Sequence, residues 1–272
     1  MKIKDHFLTQ ENFEIVETEI PGILRTTPLP HNLDKYYESK DYISHHQDSG
    51  SLKEKLYKFI QRFNLNYKRN ILAKELFLHA KVLDYGCGAG EFLKFIEDDF
   101  KTYGIEPNQL ARNAAIKKVA KTQILSNLDS IADDTLDAIT LWHVLEHIDN
   151  QQYILNIFHK KLKTNGLLII AVPNHTSFDA QHYGKFWAAY DVPRHVFHFS
   201  KSGMEKLMNN EKWHLKKIKP LHLDAFYISM LSEKYKKSPL FWFKGMFYGV
   251  ISNFKAVKSG EFSSLVYLVE KK

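Results

Sequence analysis

Residues 81–90 read Lys-Val-Leu-Asp-Tyr-Gly-Cys-Gly-Ala-Gly, a short apolar run that passes straight into a D-x-G-x-G-x-G turn. A run of this length bounded by glycine reads as a buried strand. Glycine at alternate positions lets the backbone turn tightly and approach a ligand where a Cβ would collide. The pattern is a strand–turn–helix cradle for a nucleotide-like cofactor, which constrains the chain to an α/β fold with a mostly parallel sheet. Sixteen residues beyond Gly90, a second apolar run, Tyr103-Gly104-Ile105, ends in Glu106, the acid that such sites place on ribose hydroxyls.

The spacing separates two cofactors. Dinucleotide sites use G-x-G-x-x-G, and here the third glycine comes one residue early. Asp84 precedes the first glycine, and a carboxylate there repels a diphosphate but suits an ammonium. On these residues the stretch resembles the first motif of class I S-adenosylmethionine-dependent methyltransferases. The resemblance implies S-adenosyl-L-methionine as cofactor and a Rossmann-like seven-stranded sheet with helices on both faces, its last strand antiparallel. It places on the cofactor Asp84, Gly86, Cys87, Gly88, Gly90, Glu106, Pro107, Asn127, Leu128 and His143. For Asn127 a plain turn role stays open beside an adenine contact.

The rest of the chain agrees with that architecture. Strands are expected at 81–85, 102–106, 122–125, 136–142 and 166–172, with helices at 90–98, 108–118 and 150–163 between them. Asn165-Gly166 is expected to end the last of these helices. A helix near 201–210 and strands at 214–219 and 264–269 complete the set. Residues 76–272 then form the methyltransferase domain, with a helical cap inserted at 221–262. Residues 1–75 are an N-terminal extension carrying Tyr36-Tyr37, Tyr42 and His45-His46, then a helical stretch at 51–79. Glu14 to Pro30 resembles a short knuckle that carries paired zinc-binding cysteines in some related bacterial enzymes, but it has none here.

Composition narrows the partners. Hydrophobic content of 44% and charged content of 25% are ordinary for a globular chain of 272 residues. One cysteine excludes an internal disulfide, which fits a reducing cytoplasm, and the N-terminus lacks a signal peptide's apolar core. The net charge of +7 comes from lysines scattered in short groups, which reads as solvated surface and not as a nucleic-acid footprint. No run of about 20 apolar residues indicates a membrane span. A small-molecule acceptor is the expected partner, and oligomeric state is not legible.

His143-x-x-Glu146-His147 matches the H-x-x-E-H zinc signature of inverted metallopeptidases. That chemistry needs a long helix, whereas an apolar strand, Leu136 to Leu141, runs directly into the motif. The segment resembles instead the stretch after strand four in many methyltransferases, with His147 facing the acceptor, and no metal is expected. Further on, Asp191-Val192-Pro193-Arg194-His195 resembles a segment of a bacterial branch related to ubiquinone-biosynthesis O-methyltransferases. The resemblance makes Arg194 and His195, with His147, candidates for catalysis. An internal Asp191–Arg194 salt bridge that anchors the loop stays open beside that role.

The most aromatic stretch, Pro239 to Ile251, reads as a core helix, a lid over an apolar acceptor, or a membrane-surface contact, and its place in the insertion favours the lid. The expected function is methyl transfer to a small apolar or aromatic acceptor, oxygen favoured. The competing functions are an inactive S-adenosylmethionine-binding protein and an NAD-dependent oxidoreductase.

Overall fold

The computed structural model describes residues 1–36 and 52–272. Tyr37, Tyr42 and His45-His46 lie outside the described residues. Strands occur at Lys2–Lys4 (β1), Asn12–Glu17 (β2), Ile23–Thr27 (β3), Lys81–Tyr85 (β4), Lys101–Ile105 (β5), Gln123–Leu125 (β6), Leu136–Trp142 (β7), Leu162–Pro173 (β8), Phe197–Phe199 (β9), Trp213–Pro220 (β10) and Ser264–Lys271 (β11). They form a seven-stranded sheet of order β10-β11-β8-β7-β4-β5-β6 and a four-stranded sheet of order β1-β2-β3-β9. The chain divides into two compact units, one holding residues 52–142, 152–169 and 270–272, the other residues 1–36, 143–151 and 170–269.

The first unit carries the parallel strands. β4 pairs in parallel with β5 and with β7, setting Asp84 opposite Gly104 on one side and Thr140 on the other. β6 extends the set beyond β5, also in parallel. Val82, Leu83, Ala138, Ile139 and Leu141 are fully buried, as expected for strands covered on both faces. The helix Glu91–Ile96 supplies Leu93 and Ile96 to that core, and the helix Gln109–Lys118 is capped by the Asn108 side chain, which accepts from the Leu110 and Ala111 amides. β5 passes so close to the first of these helices that a Cβ at Gly104 would sit 2.6 Å from Leu93 and 2.8 Å from Ile124. Asn165-Gly166 does not end a helix. The preceding helix stops at Lys161, and Asn165 lies inside β8 at φ 61°.

The second unit contains a sheet that the sequence does not announce. Residues 12–27 hold β2 and β3, which pair antiparallel, with β1 on one side and β9 on the other. Ile3, Phe13 and Ile15 bury one face of this sheet beside Trp187, Tyr190 and Val192. Helices occur at Phe178–Tyr183, Lys201–Leu207, Asp224–Tyr235 and Phe241–Ser259. β11 starts where its neighbours end: the Asn174 amide donates to the Ser263 carbonyl and the Leu221 amide to that of Ser264. β11 therefore runs antiparallel to β8 and β10, as expected. Asp179, fully buried, accepts from Trp187 Nε1, Ser252 Oγ and Ser263 Oγ, each at 2.7 Å, and so joins three segments.

Candidate functional site

In the first unit the glycine turn leaves β4 through residues that only glycine adopts readily: Gly86, Gly88 and Gly90 stand at φ 76°, 54° and 77°. The Gly86 and Cys87 amides donate to the Ile105 carbonyl, which pins the turn to the end of β5. Glu106 then closes the arrangement, its Oε2 accepting from the Gly88 amide and its Oε1 from the Asn108 amide, both at 2.8 Å. A Cβ on Gly88 would meet no atom within 4 Å, so the turn faces open space on that side.

Asp84 is 3% exposed and accepts a 2.6 Å hydrogen bond from Thr140 Oγ1. Burial pushes its carboxyl up to about 7; the Thr140 bond and the Lys68 ammonium hold it down, and the Glu106 charge adds to the rise. A carboxylate poised at neutrality, with a second acid across the turn, attracts a cationic ligand. Cys87 is buried against Leu93 and Ala115, and burial raises its thiol to about 12, so it lines the turn as an inert side chain. Asn127 spends its side-chain oxygen on capping the turn Leu128–Ser130, accepting from the Asp129 amide at 3.1 Å. Leu128 beside it is buried, and Pro107 is exposed.

In the second unit the histidines gather around a buried acid. His143 follows β7 directly and takes a left-handed conformation, φ 58°, which histidine adopts more readily than most side chains. Its Nε2 lies 2.9 Å from Asp224 Oδ2 and its Nδ1 3.4 Å from Glu146 Oε1. Burial opposes its charge, but the two acids outweigh burial and hold its pKa at about 10, so it is an imidazolium at neutral pH. Glu146 is 1% exposed and neither carboxylate oxygen has a hydrogen-bond partner. Burial raises its pKa, yet His143, His195 and His147 together bring it below the ordinary value.

His147 and His195 stand edge to face with ring centroids 4.6 Å apart. The Arg194 carbonyl lies 2.9 Å from His147 Nδ1, and that of Ala189 lies 2.9 Å from His195 Nδ1. These contacts orient both rings. Burial and the neighbouring His195 lower His147 to about 4, so it is neutral at physiological pH. One ligand atom each from Glu146, His147 and His195 lies within 4.8 Å of the others, a set with the chemistry of a divalent transition-metal site. The His143 cation against the same carboxylate already offsets its charge.

Arg194, 2% exposed, points away from that cluster into an ion pair with Asp191 at 2.6 Å and with Asp5 at 3.0 Å. Its Nη1 also donates to the Tyr36 carbonyl. The Asp191–Arg194 bridge of the sequence reading is thus present, extended by an acid from the first strand's end. Asp5, Thr140 and Asp224 escape sequence reasoning. Thr140, a lone hydroxyl inside an apolar strand, carried a local signal; Asp5 and Asp224 lie far along the chain from their partners and carried none.

Residues 52–213, more than half of the chain, match the methyltransferase-domain family. The chain belongs to the class I S-adenosylmethionine-dependent methyltransferases. A thiol S-methyltransferase of Homo sapiens is 24% identical over 206 residues, which cover 68% of this chain and 79% of that protein. The carboxy-S-adenosyl-L-methionine synthase of Campylobacter jejuni is 31% identical over 121 residues, 40% of this methyltransferase and 51% of the relative, so the match spans about half of that enzyme. Among solved structures, the cyclopropane synthase of Mycobacterium tuberculosis superposes with a TM-score of 0.54 at 16% identity, covering 90% of this chain and 100% of the other. The geranyl diphosphate C-methyltransferase of Streptomyces coelicolor gives 0.58 at 12% identity, covering 88% and 96%. At those identities the two structures speak for the fold, whose methyltransferase form this chain shares. Its cofactor is S-adenosylmethionine, and the open turn between Asp84 and Glu106 fits that group: the acids match its ammonium and ribose hydroxyls, and Gly88 leaves room for close approach.

Proposed function

We propose that this methyltransferase moves a methyl group to the hydroxyl oxygen of a small apolar or aromatic acceptor by in-line displacement, with a histidine receiving the acceptor's proton. The observation that carries this reading is the Glu146–His147–His195 cluster, in which a buried carboxylate without a hydrogen-bond partner lies among two oriented imidazoles. When bound, S-adenosylmethionine supplies a methyl group on a positively charged sulfur. Asp84 and Glu106 hold it, while Gly86, Cys87, Gly88, Gly90, Pro107, Asn127 and Leu128 border it.

An alcohol or phenol arrives protonated, so transfer to its oxygen calls for a base within hydrogen-bond reach. His147 is neutral at physiological pH and so has a lone pair to take that proton, although burial and His195 make it a weaker base than free imidazole. Glu146 stabilises the imidazolium that forms on His147 or His195. Arg194, tied to Asp5 and Asp191, acts as a positioning residue that fixes the loop on which His195 stands.

The human relative's name brings a thiol as the competing acceptor, which ionises more easily and needs less help from a base. Incubation with a panel of apolar phenols, alcohols and thiols, followed by mass spectrometry, tests the reading. Methylated phenol or alcohol is expected; transfer to thiols alone replaces oxygen by sulfur, and S-adenosylmethionine binding without transfer to any acceptor defeats the enzymatic reading.

A further inference from the structure

The helix Phe241–Ser259 carries two unlike faces. Gly245, Gly249, Ser252 and Ala256 are buried. They seat the helix on Asp224–Tyr235 so closely that a Cβ on Gly245 would lie 2.4 Å from the Met230 Cα and one on Gly249 2.9 Å from the Phe226 Cα. This packing turns the opposite face outward. Phe243, Phe247, Val250, Phe254 and Val257, spaced by four, three, four and three residues, form one exposed stripe, with Trp242 at its edge. Phe254 is 80% and Val257 76% exposed. The sequence favours these side chains as a lid; in the fold the stripe is exposed to solvent.

The charge around the stripe is of one sign. Lys234, Lys236, Lys237, Lys244, Lys255 and Lys258 are exposed, and no Asp or Glu lies between Glu233 and Glu261. A long aromatic stripe with lysines along its border is the pattern of a helix that lies in the headgroup layer of an anionic membrane. No helix of the described residues is long and apolar enough to cross one.

We propose that the Phe241–Ser259 helix docks this chain on an anionic lipid surface, with Phe243, Phe247 and Phe254 in the acyl boundary and the lysines on the headgroups. The docking stands apart from the identity of the methyl acceptor, because it is read without turnover.

Cosedimentation of the full chain with vesicles tests it, comparing pure phosphatidylcholine with phosphatidylcholine containing phosphatidylserine, at low and high salt. Binding to the anionic vesicles is expected, weaker at high salt, and weakened about tenfold or more by Phe247→Glu with Phe254→Glu. Both positions are exposed, so the variant should keep its fold and its affinity for S-adenosylmethionine, measured alongside. Failure to bind anionic vesicles overturns the proposal, as does binding that the double variant leaves unchanged. A stable self-associated form that hides the stripe and does not release to anionic vesicles also overturns it and makes the stripe an interface between copies.

Discussion

Arg194 and Asp5, 189 positions apart in the chain, meet in a buried 3.0 Å ion pair that fastens the end of β1 to the loop carrying His195. Both side chains are excluded from water, at 2% and 0% exposure. Removing Arg194 takes the cation from two carboxylates, leaving buried Asp5 only the hydrogen bonds donated by the Phe7, Leu8 and Thr9 amides and the Thr9 hydroxyl. Arg194→Ala is therefore expected to lower stability by about 3–5 kcal/mol, read as a shift in the urea midpoint. Arg194→Lys keeps the charge but not the two-pronged geometry toward Asp191, so it should fall between wild type and alanine. A midpoint unchanged in Arg194→Ala shows that the pair does not hold the loop.

Asp84 makes the cofactor site sensitive to pH. Its pKa near 7 lies above the ordinary carboxylate value, so the folded chain takes up a proton that the unfolded chain has already lost. The contribution of this group to stability is present at low pH, declines as pH rises from about 4 to about 7, and stays lost above. Binding has the opposite sign, because the ionised acid attracts the cationic ligand. S-adenosylmethionine affinity should rise between pH 6 and 8, and Asp84→Asn should flatten that rise while raising stability at pH 8. An affinity that falls over the same interval contradicts the assignment.

His147 and His195 should separate turnover from cofactor affinity. Replacing a general base typically costs about 10²–10⁴ in rate. His147→Ala and His195→Ala are expected to lose turnover on a hydroxyl acceptor by that order, with S-adenosylmethionine affinity changed less than threefold, or about 0.7 kcal/mol. A thermal midpoint recorded for each variant separates this from misfolding. Full turnover in both folded variants removes the acid–base role.

The expectation of no bound metal gains a sharper target in the folded chain, since Glu146, His147 and His195 are the residues that come together. Elemental analysis of the purified protein should find zinc, iron and manganese well below one per chain. A stoichiometric ion lost in His195→Ala assigns the cluster to metal binding.

The parallel core was legible because its signals are local. Asp84, the glycines and Glu106 lie within one strand–turn–helix–strand unit, where spacing alone specifies the turn. The four-stranded sheet was not legible, because β9 is three residues long and its partner β3 lies about 170 residues upstream. No periodicity survives in a segment that short. The histidine cluster was half legible. His143, Glu146 and His147 stand together in sequence, but the approach of His195 depends on a backbone bond from the Val196 amide to the Glu146 carbonyl. The outward turn of Phe247 and Phe254 was hidden for a related reason: the sequence shows an aromatic stretch, whereas the small residues Gly245 and Gly249 decide which face packs.

S-adenosylmethionine is expected to bind in the turn between Asp84 and Glu106. Calorimetric titration of S-adenosylmethionine into the wild-type chain, Asp84→Ala and Glu106→Ala tests it most directly. One site per chain is expected, weakened about tenfold or more in each variant, since a lost charge-assisted contact costs at least about 1.4 kcal/mol. Equal affinity in all three proteins would place the cofactor elsewhere.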